Sequence, residues 1–287
     1  MLVLGLVGSR RKWGNSEVLV RAALRAAEEE GATVRAIRLS DLYIQSCNGC
    51  MACVNKLEDC RLSDDFYFLI DQLQEADGIV VSAPSYGRAP AGIIKMIADR
   101  CISLRGRRER MPVKKAVAIA VCGRADHVGL VQSYLNRFPA SLGFQLVDTI
   151  LAVAPGPSET LLNETNPEAA RNIGRKLVGA IRGEVEAVRP DNCCPICFGK
   201  ALEIVSPTEV WCPICAIAGH LSIEGGEVKI WFDGDTIGEY RADVAAHRDN
   251  WLAPTGRWFQ EKRELIMQAR QPYQELPLEW IAPPVKV

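Results

Sequence analysis

Two kinds of hydrophobic pattern alternate along the first 185 residues, and they predict strands and helices in turn. Short runs rich in aliphatic residues, typical of buried strands, occur at residues 2–7, 33–39, 78–82, 116–121 and 145–153. Segments with apolar residues every three or four positions predict helices at residues 16–30, 64–75, 91–104, 129–142 and 167–181. Because strands that alternate with helices pair in parallel, the sequence predicts an α/β fold with a doubly wound, five-stranded parallel sheet.

The pattern changes after residue 187. A cysteine-rich segment with a short strand pattern follows at 188–235, and a stretch rich in Trp, Arg and Pro occupies 236–287. We therefore predict a sheet domain at 1–187, a small four-cysteine module at 188–235 and an extended or helical tail at 236–287. Three aromatic residues of the tail, Trp251, Trp258 and Trp280, favour a role for it as an oligomer contact.

Charge and composition exclude several classes of protein. The chain has 34 basic and 35 acidic residues, so its net charge of −1 gives no general attraction to nucleic acid or to an anionic membrane. No apolar run reaches about 18 residues and no leader is recognisable, so we expect a cytoplasmic protein without a membrane partner. Eleven cysteines in a reducing compartment point to metal binding rather than to disulfides.

The loop after the first strand has the composition of a phosphate site. It reads GSRRKWGNS from Gly8 to Ser16 and leads into a helix, whose N-terminus offers backbone N–H groups. Neither G-x-G-x-x-G nor a Walker sequence is present, so a monophosphate fits better than a dinucleotide or a triphosphate. A polar loop that only caps the helix is the alternative. The loops at 82–88 and 122–127 follow two other strands at the same sheet edge, where they can border a flat ring.

These loops resemble those of the flavodoxin-like NAD(P)H-dependent FMN reductase superfamily. GSRRKWGNS is similar to the family's GSPRKxGNT phosphate loop, with Arg10 where the family usually has proline, and APSYGRAPAGIIKMIADR is similar to its segment beside the isoalloxazine ring. Over residues 1 to about 185, the resemblance implies a flavodoxin-like fold, an FMN cofactor and flavin-dependent oxidoreductase activity. The cofactor-binding residues that it implies are Ser9, Arg11, Asn15 and Ser16 for the phosphate, and Pro84, Ser85, Tyr86, Gly87, Arg88, Gly123 and Asp126 around the ring.

A first group of cysteines crowds the loop after the second strand, at Cys47, Cys50, Cys53 and Cys60. Three thiolates at steps of three residues can wrap one face of a cubane cluster, whereas zinc usually takes two separated knuckles. The spacing therefore favours an iron–sulfur cluster, with free thiols and zinc as alternatives. The motif resembles that of the archaeal and bacterial iron–sulfur flavoproteins, which implies a [4Fe–4S] cluster, NAD(P)H or a ferredoxin-like protein as electron partner, and a homodimer or homotetramer.

A second group of cysteines forms two C-P-I-C knuckles, with Cys194, Cys197, Cys212 and Cys215 as the predicted ligands. Their spacing suits one tetrahedral metal ion and resembles zinc ribbons and, at the knuckles, rubredoxin. The glycine that rubredoxin has after each knuckle is absent at Phe198 and Ala216, which favours structural Zn²⁺ over mononuclear iron. Nucleic-acid-binding ribbons carry a basic face, but this segment has Lys200 beside Glu203 and Glu209, so no nucleic-acid partner is predicted.

We interpret the sequence as an FMN-dependent iron–sulfur flavoprotein oxidoreductase that passes electrons between FMN and the cluster. An NAD(P)H-dependent FMN or quinone reductase without a cluster is one alternative, and a non-enzymatic metal-binding adaptor is another. No side chain is identifiable as an acid or base, so no catalytic residue is predicted. The basic run at 105–110 is most often a solvated loop, with docking of NAD(P)H or of an acidic electron partner as the alternative.

Overall fold

A computed structural model describes residues 1–55, 59–104, 112–187, 189–233 and 236–274. The basic run at 105–110 and Trp280 lie outside these ranges. The chain divides into two compact units, Met1–Ala242 and Asp243–Val287, and the first contains both the sheet domain and the four-cysteine module.

A parallel sheet lies at the centre of the first unit. Its strands are β1 (Leu2–Val7), β2 (Thr33–Arg38), β3 (Gly78–Tyr86), β4 (Ala89–Pro90), β5 (Lys114–Cys122) and β6 (Phe144–Val153). They lie in the order β2-β1-β3-β5-β6 and every neighbouring pair is parallel, while the short β4 is antiparallel to the end of β3. The predicted five-stranded flavodoxin-like sheet is thus confirmed. Its strand order reverses between β1 and β3, which is where such sheets bind ligands.

Helices cover both faces of the sheet. They are α1 (Asn15–Glu29), α2 (Ala52–Asn55), α3 (Phe66–Glu75), α4 (Gly92–Arg100), α5 (Val131–Ser141) and α6 (Thr165–Arg182). The helix predicted over 91–104 ends at Arg100 and continues as the 3-10 turn Cys101–Leu104. On one face α1 and α6 approach so closely that a Cβ at Gly174 would lie 2.2 Å from the Ala23 carbonyl oxygen. Apolar residues on the two faces of the sheet form two separate hydrophobic clusters.

The cysteine module is a four-stranded antiparallel sheet. Its strands are β7 (Glu203–Ser206), β8 (Glu209–Cys212), β9 (Ile217–Glu224) and β10 (Glu227–Trp231), in the order β10-β9-β8-β7. Cys193 and Phe198 of this module belong to the same hydrophobic cluster as Leu135 and Phe138 of α5. Asn136 on α5 donates from Nδ2 to the Cys197 carbonyl oxygen at 2.8 Å. The module is therefore packed into the core of the sheet domain as well as joined to it by the chain.

The described part of the tail is mostly helical. It comprises α7 (Thr236–His247), the π-helical turn Arg248–Leu252, α8 (Thr255–Glu261) and α9 (Arg263–Gln274). Within it His247 stacks on Trp251 with ring centroids 5.1 Å apart, and Trp251 and Trp258 remain largely exposed. The oligomer contact stays a prediction. Among the helices described, none has the length and apolar character that crossing a bilayer requires.

Candidate functional site

The loop after β1 lies against the end of β3. The Gly8 N–H donates to the Ser82 carbonyl oxygen at 2.7 Å, and a Cβ at Gly8 would lie only 2.9 Å from that of Ala83. Glycine is therefore required where the two strand ends meet. The next residue, Ser9, is buried, and its Oγ accepts a hydrogen bond from the Arg11 N–H at 3.2 Å.

A cavity of about 90 Å³ opens where β1, β3, β5 and β6 end. It is lined by eight of the predicted cofactor residues: Ser9, Arg11, Asn15, Ser16, Pro84, Ser85, Tyr86 and Gly123. Six further residues complete the lining: Gly14, Val121, Cys122, Ala154, Pro155 and Pro157. The three residues from the loop after β6 were not predicted, although the position of this loop at the carboxyl end of a strand is the signal that identifies it. A larger groove of about 740 Å³ between α1 and β2 contains none of the predicted residues.

Ser16 provides a direct test of whether this cavity suits an anion. Its Oγ is buried without a hydrogen-bond partner, although Ser16 lines the cavity in the first turn of α1. Leaving a buried hydroxyl unpaired costs about 1–3 kcal/mol, so a bound group is expected to satisfy it. Gly14 at the N-cap supplies no side-chain cap, so the first backbone N–H groups of α1 are available as well. The residues present therefore fit an FMN phosphate.

Asn15 holds the loop after β6 against the start of α1. Its Nδ2 donates to the carbonyl oxygens of Ala154 at 2.9 Å and of Gly156 at 2.8 Å, and its Oδ1 accepts from the Thr160 N–H at 3.2 Å. Because these bonds occupy the side-chain amide, Asn15 can offer a phosphate only its backbone N–H. Its side chain shapes the cavity rather than contacting the ligand.

Glu17 fixes the other side of the phosphate loop. Its carboxylate accepts the Trp13 N–H at 2.8 Å and pairs with Arg21 at 2.9 Å and Arg38 at 2.8 Å. Burial alone raises the pKa of Glu17, but these hydrogen bonds outweigh it and the pKa is lowered. Trp13 can adopt its left-handed φ of 58° in part because its N–H has this partner. Glu17 thereby holds the turn in which the basic residues of the loop are displayed.

The segment after β3 is a tight hairpin. Gly87 and Arg88 have φ of 56° and 64°, the pair of positive values that a type I′ turn requires. The hairpin is tied to the start of α5 because the Leu130 N–H donates to the Arg88 carbonyl oxygen at 2.8 Å. Tyr86 lines the cavity while remaining 52% exposed, whereas Gly87 and Arg88 lie outside the lining.

Of the two predicted residues in the loop after β5, only one lines the cavity. Gly123 lines the cavity, but Asp126 lies on an exposed 3-10 turn outside the lining. There it pairs with Arg124 at 2.6 Å, and this hydrogen bonding lowers the pKa of Asp126. Cys122, which the sequence analysis left unassigned, lines the cavity instead, and burial raises the pKa of its thiol. Cys122 is therefore expected to stay protonated at neutral pH.

The first cysteine group lies on a loop with two left-handed residues. Gly49 and Met51 have φ of 67° and 57°, and such backbone conformations turn successive N–H groups toward one side, as in many iron–sulfur sites. Burial and the neighbouring thiols of Cys60, Cys50 and Cys47 raise the pKa of Cys53, so the four side chains share one electrostatic neighbourhood. In the part of the chain that the structure describes, their sulfur atoms are not gathered as closely as those of the second group.

A buried cation lies beside this loop. The Arg100 side chain is fully buried and forms an ion pair with Asp64. Its guanidinium lies 4.3 Å over the Phe66 ring, and its Nε and Nη2 are buried without a hydrogen-bond partner. Burial lowers the pKa of Arg100. The hydrogen bond to Asp64 and the charge of Cys60 act in the opposite direction, and the pKa is raised. Four thiols, turned N–H groups and unsatisfied guanidinium donors together fit an anionic cluster.

The second cysteine group forms a cage for a single ion. The sulfur atoms of Cys194, Cys197, Cys212 and Cys215 lie within 4.8 Å of one another, and all four residues are buried. Cys197 Sγ and Cys212 Sγ are 3.8 Å apart. This is the edge of a tetrahedron with metal–sulfur bonds of about 2.3 Å, the usual zinc–thiolate length. Cys193 lies outside the cage and donates from Sγ to the Pro190 carbonyl oxygen at 2.9 Å.

The knuckles have the backbone that glycine usually supplies. Phe198 and Ala216, which follow them, have φ of 52° and 56°. Their N–H groups donate to the carbonyl oxygens of Cys194 and Cys212, both at 2.8 Å. The missing glycines therefore do not change the shape of the knuckle, and these two residues adopt a left-handed conformation that is uncommon for side chains of this kind.

Comparison with known proteins agrees with this geometry. A family model for NADPH-dependent FMN reductases matches residues 1–157. The chain belongs to this family. An iron–sulfur flavoprotein of Methanocaldococcus jannaschii is 30% identical over 190 residues, which are 63% of this chain and 98% of that one. Flavone synthase cfoJ of Aspergillus candidus is 28% identical over 271 residues, or 83% of each chain. A solved structure described as a flavone reductase has a TM-score of 0.72 at 22% identity, covering 99% of this chain and 100% of that one, and shows a shared fold.

The reductase family and these relatives make the protein a flavin-dependent oxidoreductase. The predicted family, fold class and enzyme class are confirmed, and FMN is the cofactor that the family supports. Membership of an enzyme family excludes the alternative of a non-enzymatic metal-binding adaptor. The iron–sulfur flavoprotein relative matches 63% of the chain, whereas the flavone synthase relative matches 83%.

Replacing Ser16 is expected to weaken FMN binding without unfolding the reductase. Because the Oγ has no protein partner, Ser16→Ala would remove only the hydrogen bond that we predict to the charged phosphate. Such a bond contributes about 1.5–3 kcal/mol, so the Kd of FMN should rise roughly 10- to 100-fold. Flavin-fluorescence titration of the apoprotein measures this change. The matched control is Ser82→Ala, whose Oγ donates to the Ile119 carbonyl oxygen at 2.8 Å, and which should lower stability but not FMN affinity. Equal FMN affinity in Ser16→Ala and the wild type would contradict the assignment.

Proposed function

We propose that this reductase passes electrons between FMN and a [4Fe–4S] cluster held by Cys47, Cys50, Cys53 and Cys60. NAD(P)H or a ferredoxin-like protein is the proposed electron partner. The observation that carries the proposal is the setting of the thiols, on a loop with left-handed Gly49 and Met51 and beside the unsatisfied donors of Arg100. The relatives named iron–sulfur flavoproteins support it.

The chain's own residues bind and orient FMN in this proposal. Ser9, Ser16 and the first N–H groups of α1 hold the phosphate, with Arg11 as the nearby positive charge. Pro84, Ser85 and Tyr86 border the ring on one side, and Gly123 and the buried Cys122 thiol border it on the other. When bound, FMN would supply two-electron hydride chemistry and a [4Fe–4S] cluster one-electron chemistry, so that together they would connect two-electron and one-electron transfer.

Helix α4 connects the two proposed sites. It begins directly after the flavin hairpin and ends at Arg100, beside the cysteine loop. Nine helical residues span about 13 Å at 1.5 Å per residue. The helix therefore supports two sites that are separate but lie about one short helix apart in a single chain.

We propose structural Zn²⁺ for the second cysteine group. Four buried thiolates leave no open position for a substrate, and the sulfur spacing matches zinc–thiolate geometry. The proposed ion stabilises the module and takes no part in electron transfer. Homodimer or homotetramer formation stays a prediction.

A second candidate function is reduction of a small conjugated substrate by NAD(P)H, without a cluster. It is favoured by the family of NADPH-dependent FMN reductases, while the relative named flavone synthase matches 83% of this chain and the iron–sulfur flavoprotein relative 63%. Tyr86 lines the cavity and is 52% exposed, so this side of the cavity is accessible to a substrate in this candidate. In this candidate the first four cysteines are free thiols.

Anaerobic purification followed by metal and flavin analysis separates the two candidates. The electron-transfer proposal predicts about four irons, one zinc and one FMN per chain. Mixing with NADH or NADPH should bleach the flavin absorption first, and a reduced-cluster EPR signal should then appear. Protein reconstituted with iron and sulfide that holds FMN and zinc but no iron would refute the proposal and support the second candidate.

A further inference from the structure

Arg100 combines complete burial with unused hydrogen-bonding capacity. It is the last residue of α4, and its side chain has no exposed surface. Its Nη1 pairs with Asp64 and lies 3.4 Å from the Gln45 carbonyl oxygen, whereas its Nε and Nη2 have no partner. Unsatisfied guanidinium donors are costly in a protein interior, so an acceptor is expected next to them.

The surroundings fix the direction of these donors. Asp64 is itself held by the N–H groups of Gln45 at 2.7 Å and Phe66 at 3.2 Å, and the Phe66 ring covers one face of the guanidinium. Arg100 therefore cannot rotate toward water without breaking a buried ion pair. The Cys60 side chain raises the pKa of Arg100 both through its charge and through hydrogen bonding, so the thiol lies beside the guanidinium. The free donors thus lie in the neighbourhood of the fourth predicted cluster ligand.

The backbone of Cys60 is anchored to the same helix end. The Cys60 N–H donates to the Tyr67 hydroxyl at 2.6 Å, and the Tyr67 hydroxyl donates to Ser103 Oγ at 3.3 Å. Ser103 Oγ in turn donates to the Arg100 carbonyl oxygen at 2.8 Å. This chain of bonds links the backbone of Cys60 to the backbone of Arg100 at the end of α4.

We propose that Arg100 is a positioning residue that donates hydrogen bonds from Nε and Nη2 to sulfur atoms at the Cys60 corner of the cluster and raises its reduction potential. This inference rests on the proposed function and deepens it. Reduction adds one negative charge to the cluster, and hydrogen bonds to its sulfur atoms stabilise that charge. Asp64 limits the effect, because its carboxylate offsets part of the positive charge of Arg100.

Variants that are expected to shift the reduction potential of the cluster in opposite directions test the proposal. Arg100→Lys keeps a cation for Asp64 but has a single nitrogen, so it cannot also serve the cluster. The double variant Arg100→Met with Asp64→Asn removes the donors without leaving a buried charge unpaired. In both, the equilibrium for cluster reduction should become about tenfold less favourable, a shift of about 59 mV to lower potential for one electron. Asp64→Asn alone leaves the charge of Arg100 uncompensated and should shift the potential upward.

EPR-monitored redox titration measures the cluster potential, and flavin absorbance in the same titration measures that of FMN. The matched control is Arg35→Gln, which removes an exposed arginine paired with Glu75 at 3.2 Å and should leave both potentials unchanged. Variants that retain four irons at the wild-type cluster potential would overturn the role of Arg100 while leaving the proposed function intact. Wild-type protein without iron after reconstitution would instead overturn the proposed function.

Discussion

A Cys53→Ala variant is expected to lose its cluster iron and to keep one FMN per chain. Cys53 lies among the other three thiols of its group, so its loss leaves an incomplete ligand set. None of the cysteine-loop residues that the structure describes lines the flavin cavity, which is why FMN binding should persist. Iron analysis and the broad absorption near 400 nm, compared with the flavin bands, provide the measurement; these wavelengths are about those expected for the two chromophores.

The control for this variant is Cys101→Ala. Cys101 is a buried cysteine near the same loop, but its Sγ donates to the Ile97 carbonyl oxygen at 3.3 Å within α4 and its 3-10 extension. It should retain both iron and FMN. Full iron content in Cys53→Ala would exclude Cys53 as a ligand, and joint loss of iron and FMN would show that the two sites are not independent.

A Cys212→Ala variant is expected to lose zinc and much of the protein's stability. Structural zinc sites with four thiolates contribute on the order of 10 kcal/mol of binding free energy, and Cys193 and Phe198 beside the proposed site are part of the core. A loss of about 5 kcal/mol would lower Tm by on the order of 10–20 °C in a domain of this size. Zinc analysis and a thermal scan with the metal-loaded wild type as reference measure both effects.

Cys193→Ala is the control, because Cys193 is buried beside the cage but outside it. It should retain one zinc and lose only about 1 kcal/mol from the smaller buried side chain. Zinc bound to Cys212→Ala at the wild-type stoichiometry would mean that another group replaces the thiolate, and the proposed closed site would be wrong.

The strands of the sheet could be predicted because their aliphatic runs are short and lie between helical patterns. β3 was predicted to end at 82, yet it runs to Tyr86, because four more residues pair with β5 and the two-residue β4. A hydrophobic pattern cannot predict such an extension, because residues at the carboxyl end of a strand contact the ligand rather than the core.

The candidate site could be predicted only where local sequence determines it. The phosphate loop is a contiguous segment, so Ser9 and Ser16 follow from its composition. Asn15 and Asp126 show the limit, because the bonds of Asn15 to residues more than 130 positions away and the pairing of Asp126 with Arg124 depend on tertiary structure and rotamer. Arg100 was visible only as part of a family motif, and its burial depends on tertiary contacts with Asp64 and Phe66.

The packing of the cysteine module also limits how such chains can be recombined. Phe198 and Cys193 complete a core shared with α5, and Asn136 on that helix bonds to the knuckle backbone. The same helix begins at the residue after Leu130, whose N–H fixes the flavin hairpin. A chain cut at residue 187 would therefore expose apolar surface and loosen a wall of the flavin cavity. Grafting this module onto a shorter relative would require a matching α5. The sheet domain and the module are therefore expected to evolve together as one folding unit.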